Sequence, residues 1–278
     1  MIHFIEETLL LLPFLFATYL ALEALESKTG GALESFLGRV RLFEPVVGSL
    51  SGAIPQCGMA AAASSLYAGG VITAGALIAV FLSTSDELIP VLISFRAEVP
   101  LLAKIIFLKI ASGIFTGFLV NGVLKLMRCS RRKATVSELC EHSHCGCGKH
   151  RGIIVPALIH TAEIFLFIFI VSGAIELCMH FLGDEALKTL RLTTPFLGEA
   201  VAGAVGLIPN CAVSVAAAKL YLAGGMSAGA LMASSLTGSG MGLIVLFRTN
   251  RNLKENLAVL SVVYVSGVLL GIVTGRFL

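Results

Sequence analysis

Apolar residues fill this chain in long blocks rather than at the spacing of a soluble amphipathic helix. They occupy roughly 4–25, 43–67, 71–95 and 100–127, and again roughly 153–183, 194–222, 226–247 and 254–276. Several blocks reach the roughly 20 apolar residues needed to cross hydrocarbon, so they predict membrane-embedded helices. Between the two sets of four lies a single polar, basic stretch. The pattern predicts an all-α polytopic membrane protein: a first membrane repeat over 1–127, a Cys/His-rich linker over 128–151 and a second membrane repeat over 152–278.

The halves share wording as well as order. Gly52-Ala53-Ile54-Pro55-Gln56-Cys57 returns as Gly206-Leu207-Ile208-Pro209-Asn210-Cys211, about 154 residues later. Each copy leads into an Ala-rich run, a Leu-Tyr pair (Leu66-Tyr67, Leu220-Tyr221), two glycines and Ala-Gly-Ala-Leu (Ala74 to Leu77, Ala228 to Leu231). His3-x-x-Glu6 opens the first half as His160-x-x-Glu163 opens the second, and Glu23 is echoed by Glu176. The first copy is longer between these marks by about four residues, one helical turn, which keeps them on nearly the same face.

Composition sharpens the class. Hydrophobic residues make up 56% and charged residues 13%, with a mean hydropathy of +0.93, against about 25% charged residues in soluble domains. A net charge of +3 is too small to point to nucleic acid. The first residues are acidic where a signal peptide would be basic, so the first block is expected to be a retained span. Of seven cysteines, Cys129, Cys140, Cys145 and Cys147 lie in the linker and Cys57, Cys178 and Cys211 in apolar blocks. That distribution suits reduced thiols and metal ligands better than a disulfide framework.

Loop charge constrains the topology. If each block crossed once, the loop with Arg248, Arg251 and Lys254 would face away from the basic linker, against the positive-inside tendency. If each Pro-Cys block is instead a helical hairpin entering and leaving on one side, the basic loops all become cytoplasmic. Those loops carry Lys28, Arg39 and Arg41, the linker cations Arg128, Arg131, Arg132 and Lys133, and Arg248. Both termini then lie outside and the halves become an inverted repeat, with about ten helical elements, five per half. The same count makes the linker cytoplasmic.

Candidate chemistry concentrates at the repeated breaks. Pro55 and Pro209 remove a backbone donor and obstruct the preceding turn, and carbonyls freed in hydrocarbon persist only beside protein or a wet cavity. Broken helices of this kind bind substrate near the midplane of inverted-repeat transporters. Gln56 and Asn210 add amide oxygens, and Cys57 and Cys211 add thiols. The plainer alternative is a Pro kink with small residues for close helix packing. His160 and Glu163, and His3 and Glu6, are i, i+3 pairs on one helix face; such pairs can ligate a divalent metal or exchange protons, or only bond each other. Ser83-Thr84-Ser85-Asp86-Glu87 interrupts the third block, and Thr237-Gly238-Ser239-Gly240-Met241-Gly242 is its counterpart. Ser85 and Ser239 occupy matching places, while Asp86 and Glu87 have no acidic match, so the site is expected to be asymmetric. In the linker, Cys140, His142, His144, Cys145, Cys147 and His150 put six potential ligands within eleven residues. Their short spacings suit Zn-type binding, although they form no fixed finger pattern.

Taken together, the paired Pro-x-Cys phrases, the His-x-x-Glu opening each half and the Cys/His-rich central loop resemble the ten-transmembrane heavy-metal exporters, whose members also carry the labels manganese transporter and arsenic efflux protein. The resemblance covers essentially the whole chain and implies an inner-membrane permease that exports a metal or metalloid. Asn210 in place of Gln56, and the unmatched Asp86-Glu87, argue against two equivalent half-sites.

The resulting expectation is a secondary transporter, not an enzyme. It would carry a divalent Mn, Zn, Fe, Co or Ni ion at the midplane, with proton antiport and no fixed cofactor. Its partners are the lipid bilayer, the metal ion and protons, without nucleic acid, and a homodimer is left open. Neither a Gly-x-x-x-x-Gly-Lys-Ser/Thr loop nor a His-Glu-x-x-His pattern is present, which argues against ATP drive and zinc peptidase chemistry. The alternatives are an arsenite permease using Cys57 and Cys211, and a membrane metal sensor.

Overall fold

The computed structural model describes residues 16, 20, 43–54, 57–84, 88–94, 98–127, 158, 161, 162, 165, 166, 169, 170, 194, 196–209 and 211–278. Among these residues the only extended secondary structure is helical. Ten helices follow in order: α1 (Glu44–Gly52), α2 (Cys57–Ala68), α3 (Ala74–Ser83), α4 (Leu88–Ser94), α5 (Val99–Leu126), α6 (Leu197–Gly206), α7 (Cys211–Leu222), α8 (Ala228–Thr237), α9 (Met241–Thr249) and α10 (Leu253–Thr274). Phe16 and Leu20 in the first apolar block are helical, as are Leu158, Thr161, Ala162, Phe165, Leu166, Phe169 and Ile170 in its counterpart.

The local causes are the same in both halves. Proline falls in the first turns of α1 and α5, where its missing donor costs nothing. Thr73 and Ser227 cap α3 and α8, their hydroxyls accepting from Ala76 N–H at 3.2 Å and Ala230 N–H at 3.0 Å. Gly70 and Gly224 both have φ +73° in the turns before those caps, a left-handed conformation that glycine adopts without steric cost.

Packing fixes direction. Thr73 N–H donates to Glu44 Oε2 at 3.0 Å, joining the starts of α3 and α1. At their other ends Gly52 lies against Ser83 and Val80. The two helices therefore run parallel, so α2 between them must run back. At 1.5 Å per residue α1 rises only about 13 Å, less than half the hydrocarbon thickness, and α1–α2 is a helical hairpin. The second half repeats this. Glu199 meets Ser227 Oγ at 3.4 Å where α6 and α8 begin, and Thr237 Oγ1 donates to Gly203 O at 2.8 Å near their ends. The hairpins expected over 43–67 and 194–222 are thus present.

Long helices brace each half from outside. In α5, Gly113 and Gly117 close on Ala79 and Gly75 of α3; in α10, Gly267 and Gly271 close on Thr237 and Ala233 of α8, as Gly275 just past its end closes on Gly229. Rising numbers on one helix meet falling numbers on the other, so both pairs are antiparallel. A small residue every fourth position lets membrane helices approach this closely.

The halves exchange elements. The first half's α2 packs on the second half's α9, and α7 packs on α4. Gly242, near the start of α9, lies against Ala60 and accepts from Ser64 Oγ at 2.7 Å, while Tyr67 further along α2 bonds Glu255 Oε2 at 3.5 Å, which Asn250 just past the end of α9 also holds, so α2 and α9 run parallel. Phe16 and Leu20 of the first block pack on the same contact, against Ala61, Met241 and Val245.

Three described stretches are long and apolar enough to span a membrane: Val99–Leu126, Ala228–Thr249 and Leu253–Thr274. The second is 72% buried, against 33% and 28% for the others, so α8–α9 is central and α5 and α10 lie on the outside. Exposed Phe107, Phe115, Leu119, Val265 and Leu269 supply that outer surface. One expectation needs refining. The third block of each half, counted as one element, is two helices: α3 and α4, and α8 and α9. Backbone that cannot continue a helix separates them: Thr84 leaves the helix with ψ 124°, and Gly240 has φ 51°.

Candidate site at the helix breaks

In each half the first arm of the hairpin ends against that half's interrupted helix. Gly52, at the end of α1, sits so close to Ser83 that a side chain there would strike its hydroxyl, and Gly206 is equally tight against Ser234 and Thr237. Breaks free backbone carbonyls, and local hydroxyls take them up. Ser83 Oγ and Thr84 Oγ1 donate to Val80 O at 3.0 and 2.7 Å. Thr237 Oγ1 lies 2.8–3.1 Å from the carbonyls of Gly203, Ala233 and Ser234.

Ser239 differs. It lies between α8 and α9, only 1% exposed, and its Oγ has no hydrogen-bond partner. Buried polar groups in folded proteins are almost always paired, so an unpaired hydroxyl marks a place for an ion, a water or a substrate group. Pro209 is half-buried between α6 and α7, while Cys57 and Cys211 are the first residues of α2 and α7. Each thiol-bearing residue therefore opens the returning arm of its hairpin, at a helix end whose dipole favours anionic groups.

His3, Glu6, Pro55, Gln56, Ser85, Asp86, Glu87, His160, Glu163 and Asn210 lie outside the described residues. So do the linker residues Cys140, His142, His144, Cys145, Cys147 and His150. Among the described residues no three His, Cys, Asp or Glu side chains form a metal-sized group.

Three ionisable residues belong to the interior that the sequence reading did not single out. Lys109, near the middle of α5, is 1% exposed, and its Nζ donates to Ser235 O at 2.7 Å and Ser235 Oγ at 2.6 Å. It lies one turn from Gly113, so it reaches from the first half to the last turn of α8 in the second. Its signal was present: a lysine inside an apolar span is costly and by default functional. Glu44 and Glu199 are each 7% exposed, and each keeps one carboxylate oxygen, Oε1 and Oε2 respectively, without a partner. They head α1 and α6, 13 and 12 residues before the repeated cysteines. Carrying the repeat further upstream finds them only with a one-residue shift.

Two like sets of broken helices with apolar outer faces mark a polytopic helical membrane protein. A family model described as "Putative, 10TM heavy-metal exporter" matches residues 9–194, and the chain belongs to that family. Membership makes it a multi-pass membrane protein associated with heavy-metal export. No curated protein and no solved structure matches the chain.

Proposed function

We propose that the protein is a secondary-active exporter of a divalent transition metal. The ion is bound at mid-depth between two inverted repeats and exchanged for protons across the cell inner membrane. The observation that carries this reading is repeated in each half: the first arm of a hairpin ends against an interrupted helix, Gly52 on Ser83 and Gly206 on Thr237, and Ser239 at the second break keeps a buried hydroxyl without a partner. Helix directions support the inversion: α3 runs against α2, α9 runs with α2, and α9 continues α8 as one 22-residue apolar span. On that count α8–α9 runs opposite to α3–α4. A site held between oppositely oriented halves can open to either side by rocking one half on the other.

The expected ligand set is Cys57, Cys211, His160 and Glu163, with Gln56, Asn210, Asp86, Glu87, Ser85 and Ser239 completing the sphere. His3 and Glu6 lie on the route, and Cys140, His142, His144, Cys145, Cys147 and His150 capture metal on the cytoplasmic side. Thiol and imidazole ligands suit Zn, Fe, Co and Ni, while imidazole, carboxylate and hydroxyl suit Mn equally well. No described feature favours an arsenite permease or a sensor over this reading.

The test is flux into proteoliposomes screened over Mn, Fe, Co, Ni, Zn and arsenite, with a pH dye inside. The reading expects one divalent metal to accumulate with a coupled proton signal. Arsenite movement alone, abolished by Cys57→Ser or Cys211→Ser and indifferent to His160→Ala and Glu163→Ala, would replace it with the metalloid reading. No flux of any ion would leave a sensor.

A further inference from the structure

We propose that Lys109 is the internal counter-cation of the empty carrier, its ammonium holding the C-terminal end of α8 until the transported cation displaces it. The inference rests on the transport reading above. Its ground is a cation already bound at the place where a broken helix attracts one. The last carbonyls of a helix carry the negative end of its dipole, and such half-helix ends take cations in transporters built from repeats. Here that end is α8, and its occupant is tethered: Nζ sits 2.7 Å from Ser235 O and 2.6 Å from Ser235 Oγ, in a side chain 1% exposed.

Two further observations make the occupancy one of exchange and not only of packing. Ser239 lies four residues beyond Ser235, past the end of α8, with a buried hydroxyl that bonds to nothing. The acceptor set at the break is therefore larger than the ammonium uses at Ser235. The repeat is also broken at this point. Gly113 and Gly117 answer to Gly271 and Gly275, since each pair closes on matching residues of α3 and α8. By that register Lys109 answers to Gly267, which has no side chain and packs directly on Thr237. At this register one half carries a cation and the other a glycine, so the cation is not a shared requirement of the packing.

An ammonium and a divalent ion a few ångströms apart repel strongly even at an effective dielectric of about 20. The two cannot hold the same helix end together. Binding of the cargo drives Lys109 off Ser235 and loosens the bond that ties α5 of the first half to α8 of the second. Release of the cargo lets the ammonium return. The carrier then does not reorient with an unneutralised helix end at its centre, and slippage without cargo is suppressed.

The experiment uses the full chain with the linker ligands replaced (Cys140, Cys145 and Cys147 to Ser; His142, His144 and His150 to Ala), so that only membrane sites report. Equilibrium dialysis of the purified protein against Mn(II) and Zn(II) is compared for Lys109, Lys109→Met and Lys109→Arg. Removing the competing charge is expected to tighten metal binding by about tenfold or more, while exchange across proteoliposomes falls by a similar factor. Lys109→Arg is expected to restore the weaker affinity. Damage to the fold would weaken binding, so tighter binding separates the two causes. Where Lys109→Met does not remain monodisperse, Lys109→Gln replaces it, and the same tightening is required. Unchanged or weaker metal binding in the neutral variant overturns the inference alone. A parent protein that neither binds nor carries any of the metals overturns the transport reading and this inference with it.

Discussion

Two glycines on the long outer helices give the sharpest test of the packing. Gly271 on α10 faces α8 so closely that an added Cβ would lie 2.7 Å from Ala233 N, Cα and Cβ. Gly122 on α5 has nothing within 4 Å of the same position. Both sit inside helices, so alanine brings each the same gain in intrinsic helix preference, about 1 kcal/mol. At Gly122 that gain stands alone. At Gly271 the backbones of α8 and α10 must separate by several tenths of an ångström, and overpacking of this kind costs about 1–3 kcal/mol. Because the helix term is common to both, the difference between the variants isolates the packing cost. At roughly 2–4 °C per kcal/mol for a chain of this size, Gly122→Ala should melt above Gly271→Ala by about 2–12 °C. Thermal unfolding in one detergent, followed by loss of the monodisperse peak, measures the gap. Equal melting points for the two variants would refute the close α8–α10 approach, and with it the register that matches Gly113 to Gly271.

Further outcomes follow from single contacts. Ser64→Ala removes the hydroxyl that donates to Gly242 O across the two halves and should cost about 0.5–1.5 kcal/mol, read as a lower melting point. Glu44→Ala leaves Thr73 N–H without its acceptor and should destabilise by about 1–2 kcal/mol, whereas Glu44→Gln, which keeps an acceptor, should lose less; the opposite order would contradict the contact. Cys57→Ser and Cys211→Ser should each lower metal flux by more than about tenfold, the scale seen even when an outer-shell partner of a metal site is lost. A peptide covering 128–151 should bind Zn(II) and release protons at neutral pH, and calorimetry in two buffers of different ionisation enthalpy would detect both.

Much of the architecture was legible because it is written twice. A single Pro-x-Cys phrase is a common kink, but two copies inside matching blocks predicted both hairpins, and the parallel α1–α3 and α6–α8 pairs carry them. The interruptions after Ser83 and Thr237 were visible as hydroxyls and glycines in an apolar run. What could not be read is what one half does to the other. Lys109 meets Ser235 across 126 residues, and Ser64 meets Gly242 across 178; no local periodicity encodes such partners. Glu44 and Glu199 escaped for a narrower reason. They stand 13 and 12 residues before their cysteines, so an alignment anchored on Pro-x-Cys puts Glu199 opposite Pro45. On helices that one-residue slip leaves both carboxylates beside the cap of the next helix, Thr73 and Ser227.

The central claim is that one metal ion is held between the halves by sulfur from both. X-ray absorption on the metal-loaded, linker-neutralised protein measures this directly. Two sulfur neighbours at about 2.3 Å are expected for zinc, falling to one in Cys57→Ser and to one in Cys211→Ser, with nitrogen or oxygen filling the rest of the shell. A first shell without sulfur, or one that neither substitution changes, would contradict it.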